Sequence, residues 1–233
     1  MVAHQVVDNR SQQDFKVGGI LNSSTHPPIQ NRIDLSEDRD VVKLTDTGSA
    51  NKQISLRAIP DLILAEAAYF QGYRGVTSAP TFGPERRGAP LTASTRISSE
   101  TVRVFSQIEH ADVSVVLDES LLQVVDVLGS LKKGGLLIIN TACDPAAIAV
   151  GGDFRIATVD AADIALKHHL LKEGKPMVNT PLLGAFCRAT GIVGMHAMEK
   201  GLKDKLGGGN VTANLMALRA AFERTRIQDG GTD

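Results

Sequence analysis

One short loop concentrates side chains that could bind an anion or a partner protein. The stretch PTFGPERRGAP covers residues 80–90 and contains three prolines. Its charged residues and the glycines beside them are Gly83, Glu85, Arg86, Arg87 and Gly88. Prolines and glycines at this density are typical of a turn or loop, and guanidinium groups bind carboxylates and phosphates through paired hydrogen bonds. Two interpretations stay open: a solvated turn that keeps the chain soluble, or a rigid loop that presents these charges to a partner or an anionic ligand.

Polar residues also follow two apolar segments further along the chain. The segment ADVSVVLD ends at Asp118, and the segment LLIIN ends at Asn140. Ligands of parallel α/β sheets meet the carboxyl ends of the strands, which makes both side chains candidate site residues. Both are equally consistent with the polar start of a loop, so the sequence leaves the two roles open.

Patterns for other chemistry are weak or missing from the sequence. It has no P-loop, HExxH, GxSxG or paired CxxC motif. His168 and His169 are adjacent, so in a helix they point to different faces and make a poor metal site. Cys143 has no identifiable histidine partner, which favours a thiol without a catalytic role. The segment DTGSANKQISLRAIP has one glycine, Gly48, and therefore does not support a dinucleotide-binding loop.

The elements that would position these residues alternate between strand and helix. The segment DVVKLTD, residues 40–46, predicts a strand. The segment PDLILAEAAYFQGY predicts a helix, with Pro60 suited to its first turn and Gly72 to its end. At helical spacing, one face of this helix carries Leu62, Ala65, Ala68 and Tyr69.

The rest of the chain continues this alternation. Strands are predicted at LTASTRI, ADVSVVLD, LLIIN and FRIATV, and a helix is predicted at ESLLQVVDVLGSL, before a turn at Gly134 and Gly135. Asp160 can cap the helix that follows FRIATV, and the last third is mostly helical. Its two apolar stripes are Met195, Met198, Leu202 and Leu206, and then Val211, Leu215, Leu218 and Phe222. The order of elements predicts an α/β fold with a mainly parallel sheet and helices on both faces.

Composition excludes several classes of protein. A formal net charge of -1 does not support a broad basic surface for nucleic acid. Cys143 and Cys187 are too few for a disulfide scaffold or for the four thiolates of an iron–sulfur cluster. No apolar run approaches the roughly 20 residues of a membrane span, and the first residues lack the apolar stretch of a signal peptide. We therefore expect a cytoplasmic protein that does not bind a membrane.

Several segments together resemble one family. APTFGPERRGAPLTASTRIS, SQIEHADVSVVLDESLL and GGLLIINT closely resemble the gamma subunit, or fused gamma domain, of the 2-oxoacid:ferredoxin oxidoreductases. NTPLLGAFCRATGIV and GNVTANLMALRAAFERT are similar to its C-terminal pieces, so the resemblance covers roughly residues 41–226. The RRGAP form resembles the pyruvate-type branch, to which enzymes of aryl 2-oxoacids such as phenylglyoxylate are also similar.

The resemblance implies a Rossmann-like three-layer domain that works only as part of a complex. Such complexes oxidatively decarboxylate a 2-oxoacid, usually to an acyl-coenzyme A, and pass electrons to ferredoxin or another acceptor. Thiamine diphosphate, Mg²⁺ and iron–sulfur clusters are expected on partner chains, the alpha, beta and ferredoxin-like delta subunits. This chain is expected to hold no catalytic residue, metal or cofactor of its own, and to contribute to assembly and to the coenzyme A side. The alternative is a purely structural assembly subunit with no ligand contact.

The resemblance also implies a set of cofactor-binding or interface residues. They are Gly83, Glu85, Arg86, Arg87, Gly88, Asn140, Asn179 and Thr180. One departure from the family is the segment GSANKQIS, which stands where members usually carry a GxGGxG-type loop. This departure leaves the use of coenzyme A by this chain open.

The domain organisation follows from the same comparison. Residues 39–228 are predicted to form the gamma-type domain, and residues 229–233 a short tail. Residues 1–38 are polar and look like an extension, either disordered or an arm that orders on a partner subunit. The few apolar anchors of such an arm are Phe15, Val17, Ile20 and Leu21.

Overall fold

A computed structural model describes most of the chain after residue 39. The described residues are 40–47, 59–81, 90–102, 109–208 and 210–230, with side chains left out at 40–47, 59, 79–81, 90 and 91. All of them belong to one unit, Arg32–Asp233. The predicted N-terminal extension lies wholly outside the described residues, and the predicted tail lies outside them except for residues 229–230. The domain boundaries therefore stay predictions.

The described strands form one large sheet and one small hairpin. The sheet has the order β2-β3-β1-β4-β5-β6-β9. Its strands are β1 Asp40–Thr47, β2 Gly75–Thr81, β3 Pro90–Ser98, β4 Ala111–Val116, β5 Leu131–Asn140, β6 Arg155–Val159 and β9 Arg226–Gln228. The four central strands β1, β4, β5 and β6 are parallel, whereas β2, β3 and β9 join through antiparallel pairs. The hairpin pairs β7 Leu171–Lys172 with β8 Lys175–Pro176.

Local chemistry accounts for three of the helix ends, namely both ends of α1 and the start of α2. They are α1 Ile59–Gln71, α2 Ala161–Lys167, α3 Asn179–Thr190, α4 Met195–Leu206 and α5 Val211–Arg224. Pro60 lies in the first turn of α1, and Gly72 follows its last residue with φ 107°, a conformation that glycine adopts without strain. Asp160 caps α2 by accepting a hydrogen bond from the backbone N–H of Asp163. No helix in the described ranges is long and apolar enough to cross a bilayer.

Two apolar layers cover the sheet and confirm the α/β class. On one face Val113, Val115, Leu136 and Ile138 belong to a buried cluster to which all five of the described helices contribute. On the other face, Leu137 and neighbouring strand residues pack against the short segments that follow β4 and β5. These segments contain the 3-10 helices Glu119–Gln123 and Pro145–Ala147. The second layer is therefore thinner than the first.

Two predictions between residues 119 and 135 were wrong. The predicted helix at 119–131 is a 3-10 helix that ends at Gln123, because side chains satisfy the backbone in other conformations: Asp118 accepts from the N–H of Ser120, and Asp126 from the N–H of Gly129. The predicted turn at Gly134 and Gly135 lies inside β5. The pairing of β5 with β4 jumps from Leu131 to Leu136 there, so the glycines belong to an irregularity within the strand.

The face predicted for α1 is mainly the exposed one. Leu62 is 43% and Tyr69 is 53% exposed, whereas Ile63, Leu64 and Ala67 are buried with Ala68. The buried stripe is set by the packing of α1 on β2, β3 and α4. An apolar count along the helix does not distinguish these two stripes, because both carry large apolar residues.

The loop at residues 80–90 is shorter than predicted. β2 extends to Thr81, β3 begins at Pro90, and the two strands pair in antiparallel register, with Thr81 opposite Thr92. Residues 82–89, which join them, lie outside the described residues. The predicted contacts of this loop are therefore not tested.

Candidate functional site

The strand order reverses between β1 and β4, and this reversal marks the candidate site. From β1 the chain passes through α1 to β2 and β3 on one side, while β4, β5 and β6 follow in order on the other. In open α/β sheets, ligands bind outside the carboxyl ends of the strands at such a reversal. The carboxyl ends of the four parallel strands therefore form the edge where a ligand would be expected.

A small cleft lies at this reversal, and we call it the switch-point cleft. Its walls include Pro60 and Leu64 of α1, Val115 and Leu117 at the end of β4, and Asn179 and Phe186 of α3. Its free space is about 10 Å³, room for about one water molecule. The described walls thus leave no room for a nucleotide inside the cleft. They do bring together the N-terminal turns of α1 and α3, and the N-terminus of a helix carries a partial positive charge.

Segment 48–58, which joins β1 to α1, contains the departure from the family's glycine loop. All of its residues lie outside the described ranges. The expectation that this single-glycine segment does not bind a dinucleotide therefore stays a prediction. Five predicted site residues of the 82–89 loop also lie outside the described ranges, so their role stays a prediction: Gly83, Glu85, Arg86, Arg87 and Gly88.

Asn140 joins two elements at the carboxyl edge. Its Nδ2 donates a hydrogen bond to the carbonyl oxygen of Leu117 at 3.0 Å, and its Oδ1 accepts one from the N–H of Ala161 at 3.0 Å. The side chain thereby ties the end of β4 to the start of α2. Both of its polar atoms are engaged within the chain, which favours a positioning role over direct ligand contact.

Replacing Asn140 with alanine is expected to lower the free energy of unfolding by about 2 kcal/mol, because a carbonyl oxygen and an N–H lose their partner. Urea denaturation of the Asn140→Ala chain measures this. Gln123→Ala removes an exposed polar side chain and is the matched control, expected within about 0.5 kcal/mol of the parent chain. Equal stability of the two variants would contradict the bridging role.

Asn179 and Thr180 are adjacent but have different surroundings. Asn179 is the first residue of α3 and lines the switch-point cleft. Thr180 is buried, and its Oγ1 donates to Oδ1 of Asn214 on α5 at 2.6 Å. The Asn214 Nδ2 in turn donates to the carbonyl oxygen of Asn210. Of the three predicted site residues that the structure describes, Asn179 therefore lines the cleft, whereas Thr180 joins two helices.

Sequence reasoning missed Asp61, whose carboxyl is buried beside the cleft. Its side chain is 1% exposed, and Oδ1 accepts a hydrogen bond from Thr95 Oγ1 of β3 at 3.4 Å. Burial raises the pKa of Asp61 to about 8, against the smaller lowering effect of the Thr95 hydrogen bond. The signal was present in the sequence: Asp61 shares helical spacing with Leu64 and Ala68, the buried stripe of α1.

The two cysteines have different surroundings. Cys143 is exposed in the loop after β5, where the Arg226 guanidinium donates to the carbonyl oxygens of Ala142 and Cys143. Cys187 is buried in α3, and burial raises the pKa of its thiol. No group of three or more potential metal-binding side chains occurs in the part of the chain that the structure describes.

Comparison with known proteins assigns this fold to a family. Residues 61–224 match the family described as pyruvate ferredoxin/flavodoxin oxidoreductase. The chain belongs to this family. It is 44% identical over 170 residues to the common subunit gamma of the pyruvate/ketoisovalerate oxidoreductases of Thermococcus litoralis, a match that covers 72% of this chain and 89% of that protein. It is 42% identical over 161 residues to the pyruvate synthase subunit PorC of Methanothermobacter thermautotrophicus, with 69% and 84% covered.

Solved structures of the family share the fold. The pyruvate oxidoreductase subunit PORC of Thermotoga maritima superposes with a TM-score of 0.65 at 33% identity, covering 83% of this chain and all (100%) of that one. The gamma subunit of a keto/oxoacid ferredoxin oxidoreductase from Geobacter sulfurreducens, at 22% identity and a TM-score of 0.63, has the same fold. The chain is thus a gamma-type subunit of a pyruvate or other 2-oxoacid ferredoxin oxidoreductase complex. These relatives do not support a relationship to phenylglyoxylate enzymes.

Proposed function

We propose that this subunit shapes the acyl-transfer side of the complex and holds its partner subunits together. The observation that carries the proposal is the meeting of two helix N-termini, those of α1 and α3, at the switch-point cleft. N–H groups at helix N-termini favour anions such as the phosphates of coenzyme A. Because the cleft itself has room for little more than a water molecule, any such ligand would lie outside it, between this chain and a partner.

The chemistry of the reaction belongs to partner chains in this proposal. Thiamine diphosphate with Mg²⁺ supplies the carbanion chemistry of decarboxylation, and iron–sulfur clusters carry the electrons. The proposed partners are alpha, beta and ferredoxin-like delta subunits, with ferredoxin or a similar acceptor. The relatives named above act, by their names, on pyruvate and ketoisovalerate, so we propose these short 2-oxoacids as substrates. The cytoplasmic location expected from the sequence remains part of the proposal.

The loop at residues 82–89 offers the sharpest test of this role. If Arg86 or Arg87 forms a buried pair with a partner's carboxylate or a coenzyme A phosphate, its truncation costs about 2–5 kcal/mol. We expect Arg86→Ala or Arg87→Ala either to release partner subunits during purification or to raise the KM for coenzyme A at least tenfold. Both quantities are measured on the purified complex.

The two outcomes separate the proposal from its alternative. Loss of partner subunits with an unchanged KM supports only the assembly role, which the purely structural alternative shares, whereas a raised KM in an intact complex supports the acyl-transfer role. Arg74→Ala, at an exposed arginine after α1, is the matched control and is expected to change neither. If all three variants match the parent complex, the loop is a solvated turn.

A further inference from the structure

Asp61 is a carboxylic acid in an apolar part of the fold. It lies in the first turn of α1 and is 1% exposed. Its Oδ1 accepts one long hydrogen bond, from Thr95 Oγ1 at 3.4 Å, and its Oδ2 is buried with no hydrogen-bond partner among the described residues. One such bond does not replace the water that an ionised carboxylate loses on burial. The neutral acid is therefore the form that fits this place.

Three charged groups of α4 contact partners other than Asp61. The Lys200 ammonium lies 3.9 Å from the centre of the Phe70 ring, and Lys205 binds Glu66 at 3.0 Å. Asp204 is within 3.8 Å of Lys205 and is mostly exposed. These groups do not offset the charge that Asp61 would carry.

Among the side chains that the structure describes, the other elements that pack on α1 also offer no counter-charge to Asp61. β2 contains no ionisable residue. On β3, Arg96 is adjacent to Thr95, so the alternation of the strand directs it to the opposite face of the sheet. On α3, Arg188 lies over the Phe222 ring. The ionisable residues of β1, whose side chains are not described, are Asp40, Lys43 and Asp46.

Asp61 is also mechanically linked to the candidate site. The next residue toward the N-terminus, Pro60, and Leu64 one turn later both form walls of the switch-point cleft. The contact between Asp61 and Thr95 joins this turn to β3. A change at Asp61 therefore acts on the cleft wall through the backbone of a single helical turn.

We propose that Asp61 is a proton-dependent latch: its neutral carboxyl holds the first turn of α1 against β3, and loss of its proton loosens that turn and the adjoining wall of the switch-point cleft. The partial positive charge at the start of α1 favours the ionised form, but this effect is smaller than the cost of removing a carboxylate from water. The latch thus stays closed at low pH and opens as pH rises.

The direction of the pH effect follows from the two protonation states. Burial raises the pKa of Asp61 from 3.8 to about 8, so between these values the folded chain holds a proton that the unfolded chain has lost. The stabilisation is fully present below about pH 4 and is lost as pH rises toward 8. Above about pH 8 Asp61 is ionised in both the folded and the unfolded chain, and stability no longer changes with pH through this group.

Hydrogen exchange of the full chain tests the latch. We compare the parent chain with Asp61→Asn, which keeps the size of the side chain but cannot ionise. At equal pH, the exchange rates of the amides at 63–66 in the parent chain, relative to the variant, should rise by up to tenfold per pH unit between pH 5 and about pH 8, and then level off. Amides in the middle of α5 serve as the internal control and should keep a constant ratio.

A second measurement keeps the proposal testable if Asp61→Asn does not fold. Carbon-13 NMR of the Asp61 carboxyl in the parent chain should show a titration midpoint near pH 8. Asp163 is the matched control, because hydrogen bonds from Lys167 and Arg224 lower its pKa. Asp163→Asn should therefore leave unchanged the rise with pH of the exchange ratio at amides 63–66 above pH 5. A midpoint below about pH 5, or a pH-independent exchange ratio at 63–66, would overturn the latch.

Discussion

Replacing Gly184 with alanine is expected to lower the free energy of unfolding by about 3 kcal/mol. Gly184 lies in α3, and a methyl group at this position would overlap the backbone carbonyl oxygen of Leu218 in α5. A backbone atom in a packed helix cannot move aside as a flexible side chain can, so the two helices must separate. Because the neighbouring residues of α3 lie in the main core, separation disturbs the whole helical layer.

A second glycine provides the control for this prediction. A methyl group on Gly201 of α4 would lie 3.0 Å from the Ala67 backbone nitrogen and 3.1 Å from the Ile63 carbonyl oxygen of α1, a tight but smaller conflict. Alanine also favours a helix over glycine by about 1 kcal/mol, which offsets the strain. Gly201→Ala is therefore expected to stay within about 1 kcal/mol of the parent chain in urea denaturation. Similar losses in both variants would show that the α3–α5 contact is not the tight one.

The central strands were predictable because burial on both faces makes a strand a continuous apolar run. LLIIN and ADVSVVLD are such runs, and they became the central part of the sheet as β5 and β4. The last two helices were also predictable, since residues such as Met198, Leu202 and Leu218 recur at helical spacing and are buried. In both cases the local pattern and the tertiary packing agree.

The sequence-based predictions failed where tertiary packing or local hydrogen bonds determine the conformation of the chain. β2 was not predicted, because GVTSAPT has little apolar character and forms a strand by pairing with β3. The helix at 119–131 gave way to turns that Asp118 and Asp126 stabilise. Asp61 was missed for a related reason: a carboxylate is normally expected to be exposed, although this one shares helical spacing with the buried Leu64 and Ala68.

Part of the candidate site was predictable and part was not. Asn140 stands at a strand end, as the apolar run before it requires, but its bridge from Leu117 to Ala161 depends on two segments that are distant in sequence. Asn179 and Thr180 were suggested by resemblance, and the helix start alone does not tell which of them faces the cleft. Thr180 points to Asn214 because α3 and α5 pack closely.

The second large effect concerns the activity of the complex. We expect the isolated chain to be colourless and to reduce no dye with any 2-oxoacid. A four-thiolate cluster needs more cysteines than this chain has, and of its two, Cys187 is buried with a raised pKa that disfavours the thiolate. Iron–sulfur absorbance in the pure chain would contradict this expectation. The chain should nevertheless be required for activity, because we propose that it shapes the acyl-transfer side.

Reconstitution of the complex shows whether this chain is needed for the coenzyme A-dependent oxidation of a 2-oxoacid. The alpha, beta and delta partners are combined with and without this chain, and 2-oxoacid-dependent viologen reduction is measured with and without coenzyme A. The substrates are pyruvate, ketoisovalerate and phenylglyoxylate. We expect coenzyme A-dependent oxidation of pyruvate or ketoisovalerate, with a rate at least a hundredfold lower when the chain is omitted. Full activity without the chain, or oxidation of phenylglyoxylate alone, would contradict it.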